Sequence, residues 1–397
     1  MNVIPAKVII KKDWWPTIFY VLCLLPVSIA GYGVNYLFVL IPIARLVTGK
    51  LLIKPRGDIL AFIFFCSISF FISAFYQVEW VEYFPRRAIS FGLFLLTFSF
   101  FFVPLSRENL KKFELSVVIA ALAIALKSIT VFMLLGEEAQ NFESKDVVGS
   151  QRYGFVYILA FWILWCGKEL LPNRVIRSLI LILLVLGIAL TFSRAAVVAF
   201  SSSIFFGCAH SVLSRGFHAR KYVFRLFYIA IFLILAIWAL RLISPVVLDF
   251  FYVRLIDYVL SGQSLLDASD PNTSDGVRVF IWGNILDFVA RNPLTGSGFL
   301  GVWVLGLFEG EGGSSHSQYF DQLFRLGALL FVYYGYILLK TFIFFMRTSP
   351  GVLIGYVGVL VYGLFHETFK EPHGLFLLAF LAAFAFQRNK VTGRSNL

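Results

Sequence analysis

Charge is scarce in this chain. Asp, Glu, Lys and Arg make up 14% of its 397 residues, where an average soluble domain carries about 25%. A soluble globular surface is thereby excluded. Cysteine is scarce too: Cys23, Cys66, Cys166 and Cys208 all lie inside apolar runs, with no CxxC pair. That excludes a disulfide framework and a cysteine zinc site, and leaves four small buried hydrophobes. The chain has no P-loop and no GxSxG nucleophile elbow. His366-Glu367 does not begin an HExxH motif, because Lys370 stands where the second histidine belongs. Gly296-Ser-Gly298-Phe-Leu-Gly301 has GxGxxG spacing, but a helical stretch and Pro293 precede it instead of a strand. It reads as a flexible turn where backbone approaches a neighbour or ligand, not as a dinucleotide site. Internal repeats and low-complexity tracts are also absent.

Apolar sequence is what the chain has in abundance: 59% hydrophobic residues, 46 of them Phe, and a mean hydropathy of +0.85. These values predict an all-α polytopic membrane protein, with Phe suited to a lipid-facing surface. A span needs about 20 apolar residues. Runs of that kind occupy 16–30, 34–49, 59–76, 88–105, 115–135, 154–170, 175–191, 195–212, 223–243, 316–346, 350–366 and 373–387, or about twelve transmembrane helices. The first two are short, and a re-entrant pair around Gly31-Tyr32-Gly33 is the alternative there. Residues 1–397 form a single integral membrane domain on this reading, with one large outer loop, 244–315, between helices 9 and 10. Lys7, Lys11 and Lys12 before the first run fit a basic cytoplasmic flank. With Ser28-Ile29-Ala30 they also fit a cleavable signal peptide.

Charge placement orients the spans. With both termini inside, 20 of the 34 Lys and Arg fall in inner segments and nine in outer ones, as the positive-inside rule requires. The net charge of +12 is therefore a topology signal and does not point to nucleic acid. Acids crowd the outer loops instead. Seven of the nine outer cations are Arg, which suits either ion pairs with those acids or an anionic substrate.

Three places carry candidate chemistry. Thr191-Phe192-Ser193-Arg194-Ala195-Ala196 joins two apolar runs with almost no loop. Arg194 is either a snorkelling helix-end residue or a cation for a substrate phosphate. The outer loop opens with an amphipathic patch, Pro245 to Leu260, then carries a helix over about 277–290 that Asn292-Pro293 stops. It ends in Ser314-Ser315-His316. With Ser315 as N-cap, His316 stands at a helix N-terminus, where a lowered pKa suits a general base. An ordinary interfacial histidine is the alternative. Asp321 and Arg325 follow at i, i+4 spacing and either pair or face the same cavity. Arg152 and Lys127 lie toward the outer half, at its edge.

Together, Thr-Phe-Ser-Arg-Ala-Ala at 191–196, Arg278-x-x-x-Trp282 followed by Asn292-Pro293-Leu-Thr-Gly-Ser-Gly298, and His316-Ser-Gln-Tyr before Arg325-Leu-Gly327 resemble the O-antigen ligase and O-antigen polymerase superfamily, over roughly residues 145–345. That resemblance implies a glycosyltransferase of the bacterial inner membrane, with its active site facing the periplasm. It implies an undecaprenyl pyrophosphate-linked glycan as donor, an acceptor glycan or lipid A–core as partner, and a metal-independent, inverting reaction without a cofactor. It places the family's pyrophosphate-binding arginines on Arg194 and Arg278 and its catalytic histidine on His316. His-Ser here replaces the His-Asn of many members. The pattern from His316 to Gly327 is nearer to polymerases of O-antigen or exopolysaccharide repeat units; a ligase is the alternative, and a lipid-linked glycan flippase a more distant one.

Overall fold

A computed structural model describes residues 14–25, 28–29, 32–33, 38, 40–47, 56–135, 151–215, 238, 274–307 and 313–387. The helices are α1 (Trp15–Leu24), α2 (Leu40–Val47), α3 (Gly57–Tyr76), α4 (Phe84–Ser99), α5 (Arg107–Leu135), α6 (Gly154–Cys166), α7 (Arg174–Ala189), α8 (Arg194–Arg215), α9 (Ser274–Arg291), α10 (Gln318–Thr348), α11 (Pro350–Tyr362) and α12 (Pro372–Gln387). Their starts follow local chemistry. Asn173 caps α7 by accepting from the Val175 and Ile176 amides at 3.0 and 3.2 Å, and Pro350 opens α11, where its missing N–H costs nothing. Between α1 and α2 the chain doubles back through a two-residue antiparallel pairing, Ser28 with Gly33 and Ile29 with Tyr32.

Among the described residues, α3, α5 and α10 are long and apolar enough to cross a membrane, and α1, α6, α11 and α12 are shorter apolar helices. The run at 223–243, Trp238 apart, and residues 244–273 and 308–312 of the outer loop lie outside the described residues. Among the described residues the loop's helix runs Ser274–Arg291, a little longer than the expected 277–290.

Helix α11 is central. It packs on α6 and α8, and its Gly351, Gly355 and Gly358 let the backbones approach closely. A Cβ on Gly351 would lie 2.8 Å from the Trp162 carbonyl oxygen, and one on Gly355 2.9 Å from the Leu159 Cα. Small residues serve this purpose where lipid supplies no hydrophobic drive between helices. Phenylalanine serves the core as well as the outside. Phe113 stacks on Phe380 at 4.2 Å and both are buried, while Phe64, Phe71 and Phe75 face outward.

Helix α10 is broken near its start. Gly327 has φ 72 and ψ 174, and residues 293–299 fill the break. The Ala328 amide donates to the Pro293 carbonyl at 2.8 Å, the Ser297 amide to the Phe324 carbonyl at 2.7 Å, and the Phe299 amide to the Arg325 carbonyl at 3.3 Å. Backbone groups freed by the break thus find partners in a neighbouring segment, as buried amides must. This is the close backbone approach expected of the glycine-rich passage. Gly296 and Gly298 have positive φ, and the Cβ of any residue at 296 would meet the Phe324 carbonyl.

Polar side chains collect at the two ends of the bundle. At one end Lys340 lies 3.6 Å from Asp58, which also pairs with Arg56. The other end gathers the ends of α3 and α10 and the junctions α7–α8 and α11–α12, and there the candidate residues lie.

Candidate functional site

His316 sits on a short segment, 313–317, held from two sides. From α9, the Trp282 indole N–H donates to the Ser315 carbonyl at 2.9 Å, and the Trp282 ring stacks on Phe320 at 4.7 Å. From the α11–α12 junction, Glu367 Oε1 accepts the Ser315 amide at 2.6 Å. The Ser315 hydroxyl lies 2.8 Å from both Glu367 Oε1 and the Ser317 carbonyl, so its one proton serves one acceptor at a time. The Gln318 amide donates to the Gly363 carbonyl at 2.7 Å, and the Phe369 amide donates back to Gln318 Oε1 at 2.6 Å. His316 itself is exposed.

One expectation needs correction. Helix α10 starts at Gln318, so Ser317, not Ser315, holds the N-cap position, and it makes no side-chain cap bond. His316 precedes the helix with φ 53. Its pKa is nevertheless lowered. Surrounding protein desolvates the imidazolium, and the Arg278 charge adds to this; Glu367 opposes and Lys370 assists. A histidine lowered from its ordinary value is neutral at pH 7 and able to accept a proton.

Asp275 joins the two arginines. Its Oδ1 lies 3.0 Å from Arg278 Nη1 and 3.4 Å from Arg194 Nη2. Arg278 reaches it from one helical turn along α9, and Arg194 from the first position of α8. A further bond closes the ring of loops: the Ser193 hydroxyl lies 3.3 Å from His366 Nε2. Residues 191–194, 274–282, 313–318 and 363–371 are thus tied into one circuit. Arg194 and Arg278 meet on one carboxylate, and Arg278 is close enough to His316 to bias its titration.

Asp275, His366, Glu367 and Lys370 were not foreseen as site residues. Glu367 is paired to Lys370 at 2.7 Å. Burial pushes its pKa up, but the Lys370 charge and the Lys370 and Ser315 hydrogen bonds outweigh this and hold it below the usual range. His366 stacks on Tyr362 at 4.6 Å. Its pKa is lowered to about 4 by burial first, then by Arg278 and His316. The signal was present: His366-Glu367-x-x-Lys370 is a polar group in an outer junction, on the same side as His316 by the count of spans.

The remaining candidates divide. Arg325 Nε pairs with Asp321 Oδ2 at 2.8 Å, and its Nη1 donates to the Phe299 carbonyl at 2.9 Å. This pair clamps the inserted glycine-rich segment across the break in α10. Arg152 lies at the rim, 3.4 Å from Glu371, and the His373 ring is 3.2 Å from its backbone carbonyl. Lys127 is exposed on α5 and makes none of the circuit's ion pairs or hydrogen bonds. Among the described residues no three His, Cys, Asp or Glu are grouped to hold a metal ion.

Positive φ at a non-glycine residue is uncommon, and for a bulky side chain a true outlier. The described residues that show it are Phe192, Phe299 and His316, one in each of three segments that build this end: 191–194, 292–300 and 313–317. Such conformations cost about 1–3 kcal/mol each and persist where surrounding structure enforces them, often at functional sites.

Membrane-length helices define an integral membrane protein, and its cationic, histidine-bearing candidate site lies at one end of the bundle. Residues 179–335 match the family model described as O-Antigen ligase, and over that stretch the chain is similar to the O-antigen ligase and polymerase superfamily. That similarity supports an enzyme of glycosyltransferase type in a bacterial membrane. No curated protein matches the chain. The matched stretch contains Arg194, Asp275, Arg278 and His316 and ends before His366, Glu367 and Lys370.

Proposed function

We propose that this protein transfers a glycan from an undecaprenyl pyrophosphate donor to an acceptor sugar hydroxyl at the periplasmic face of the inner membrane, polymerising O-antigen or exopolysaccharide repeat units. The observation that carries the proposal is the meeting of Arg194 and Arg278 on Asp275, beside a histidine whose protonated form is disfavoured. Pyrophosphate is already a good leaving group and needs cations more than a protein nucleophile. Neutral His316 takes the proton from the acceptor hydroxyl as its oxygen attacks the anomeric carbon. The bond from that carbon to the pyrophosphate oxygen breaks, and Arg194 and Arg278 stabilise the charge that collects there. One attack from the face opposite the leaving group inverts the anomeric centre. Asp275 orients both guanidinium groups before substrate arrives, and Glu367 holds the segment that presents His316. No pair of catalytic carboxylates is needed, in contrast to glycoside hydrolysis.

Purified protein in vesicles with lipid-pyrophosphate-linked oligosaccharide and acceptor tests this. New glycosidic bonds without ATP are expected; movement of label across the bilayer without new bonds would identify a flippase instead. A deletion strain separates the two transferases. Single repeats on lipid A indicate a lost polymerase, and full-length polymer left on the carrier lipid indicates a lost ligase.

A further inference from the structure

His366 stands at the site end, in the α11–α12 junction, beyond residue 335 where the family match stops. Backbone and ring both tie it to the site. Its carbonyl accepts the Gln318 amide at 3.1 Å, two residues along from His316. Its ring stacks on Tyr362 at 4.6 Å, and its Nε2 lies 3.3 Å from the Ser193 hydroxyl. Ser193 is fixed in turn. It precedes Arg194, and its Oγ accepts the Ala196 amide at 3.4 Å, which holds it at the start of α8. The imidazole is thereby anchored to the residue next to Arg194.

The other ring nitrogen differs. Among the described residues Nδ1 has no hydrogen-bond partner, yet it is not sealed in the core as the Nδ1 of His373 is. His366 as a whole is half-buried. Burial keeps its ring neutral, and the charges of Arg278 and His316 reach it and act in the same direction. A neutral imidazole carries one ring proton, and the Ser193 hydroxyl rotates to suit either tautomer. It donates to Nε2 when that proton is on Nδ1. His366 can thus present an N–H donor at Nδ1, in the company of two guanidinium groups that share one acid. A ligand that satisfies this set carries several acceptor oxygens and net negative charge, as a pyrophosphate does.

We infer that His366 is a third pyrophosphate-binding residue, whose Nδ1–H donates to an oxygen of the leaving group while Arg194 and Arg278 balance its charge. The inference rests on the glycan-transfer reading. The proton stays on Nδ1 throughout, so the role is distinct from that of His316, which gains one. A fixed donor at the oxygen where charge develops acts most strongly in the transition state.

The test uses two amides that imitate opposite edges of the ring. An asparagine amide nitrogen falls near the place of Nδ1, and a glutamine amide nitrogen near that of Nε2. His366→Asn therefore keeps a donor to substrate, His366→Gln keeps the bond to Ser193, and His366→Phe keeps only the stack on Tyr362. Binding of inorganic pyrophosphate to purified full-length protein is measured by calorimetry, and transfer from the lipid-pyrophosphate-linked donor by steady-state kinetics. His366→Gln and His366→Phe are expected to lose about 10²-fold in kcat and to bind pyrophosphate about tenfold more weakly. His366→Asn stays near wild type in both. Wild-type behaviour of His366→Gln overturns the inference, because the bond to Ser193 would then be all that His366 supplies. A folded His366→Asn protein as impaired as His366→Phe overturns it too. Should the wild type form no glycosidic bond, yet bind pyrophosphate in a way that His366→Asn preserves and His366→Gln loses, the binding role stands and the transfer reading falls.

Discussion

At the scale of single residues, the proposed mechanism depends on one imidazole and the charges around it. Loss of a general base costs about 10²–10⁴ in rate, so His316→Ala is expected to reduce transfer by that factor in protein that still inserts and folds. The wild-type rate should fall with acid as His316 protonates, below the ordinary histidine value near 6.5, and should be flat above neutrality. The neighbours shift that limb in opposite directions. Arg278 holds the His316 pKa down, so Arg278→Gln moves the residual activity's acid limb to higher pH. Glu367 holds it up, so Glu367→Gln moves the limb lower. Shifts of the same sign in both variants would remove His316 as the titrating group. His366 makes a separate prediction about stability. Its folded pKa of about 4 lies below its unfolded value. The unfolded chain therefore binds the extra proton first, and stability is lost as pH falls from about 6.5 toward 4. Thermal unfolding in detergent across that window should show the loss, and it should be smaller in His366→Gln.

At the scale of elements, the break in α10 organises the site end. Gly327 combines φ 72 with backbone crowding, since a Cβ there would lie 2.7 Å from the Pro293 carbonyl oxygen. Gly327→Ala should destabilise by at least about 1–3 kcal/mol. Gly335, eight residues along the same helix, meets nothing within 4 Å, and Gly335→Ala should stabilise by about 0.5–1 kcal/mol. Equal effects at the two positions, measured by chemical denaturation, would contradict the assigned break. This element also shows what sequence reading reaches. Apolar runs mark where helices form, and Asn292-Pro293 marks where α9 stops. Periodicity carries no sign that residues 293–299 insert into α10, because the partners there are backbone groups that every residue possesses. Asp275 escaped for a related reason. An acid in an acidic loop has no distinguishing pattern until folding places two arginines on one oxygen. Arg194 and His316 stand out in the sequence because arginine beside small residues and histidine beside a span are unusual in an apolar chain, whereas Arg278 is marked only by the resemblance of its motif to the family's.

At the scale of the whole molecule, the site is one-sided. Arg194, Arg278, His316 and Glu367 stand at one end of the bundle, with Asp58 and Lys340 toward the other. Helical character and a membrane setting follow from composition alone, through the hydrophobic run lengths and the charge bias. A twelve-span count reaches further than the three membrane-length helices among the described residues. The most direct measurement of the central claim is product formation by purified wild-type, Arg194→Ala and His316→Ala protein from one lipid-pyrophosphate-linked donor, without ATP. New glycosidic bonds from the wild type and none above background from either variant are predicted; wild-type product levels from His316→Ala would contradict the assignment of the site.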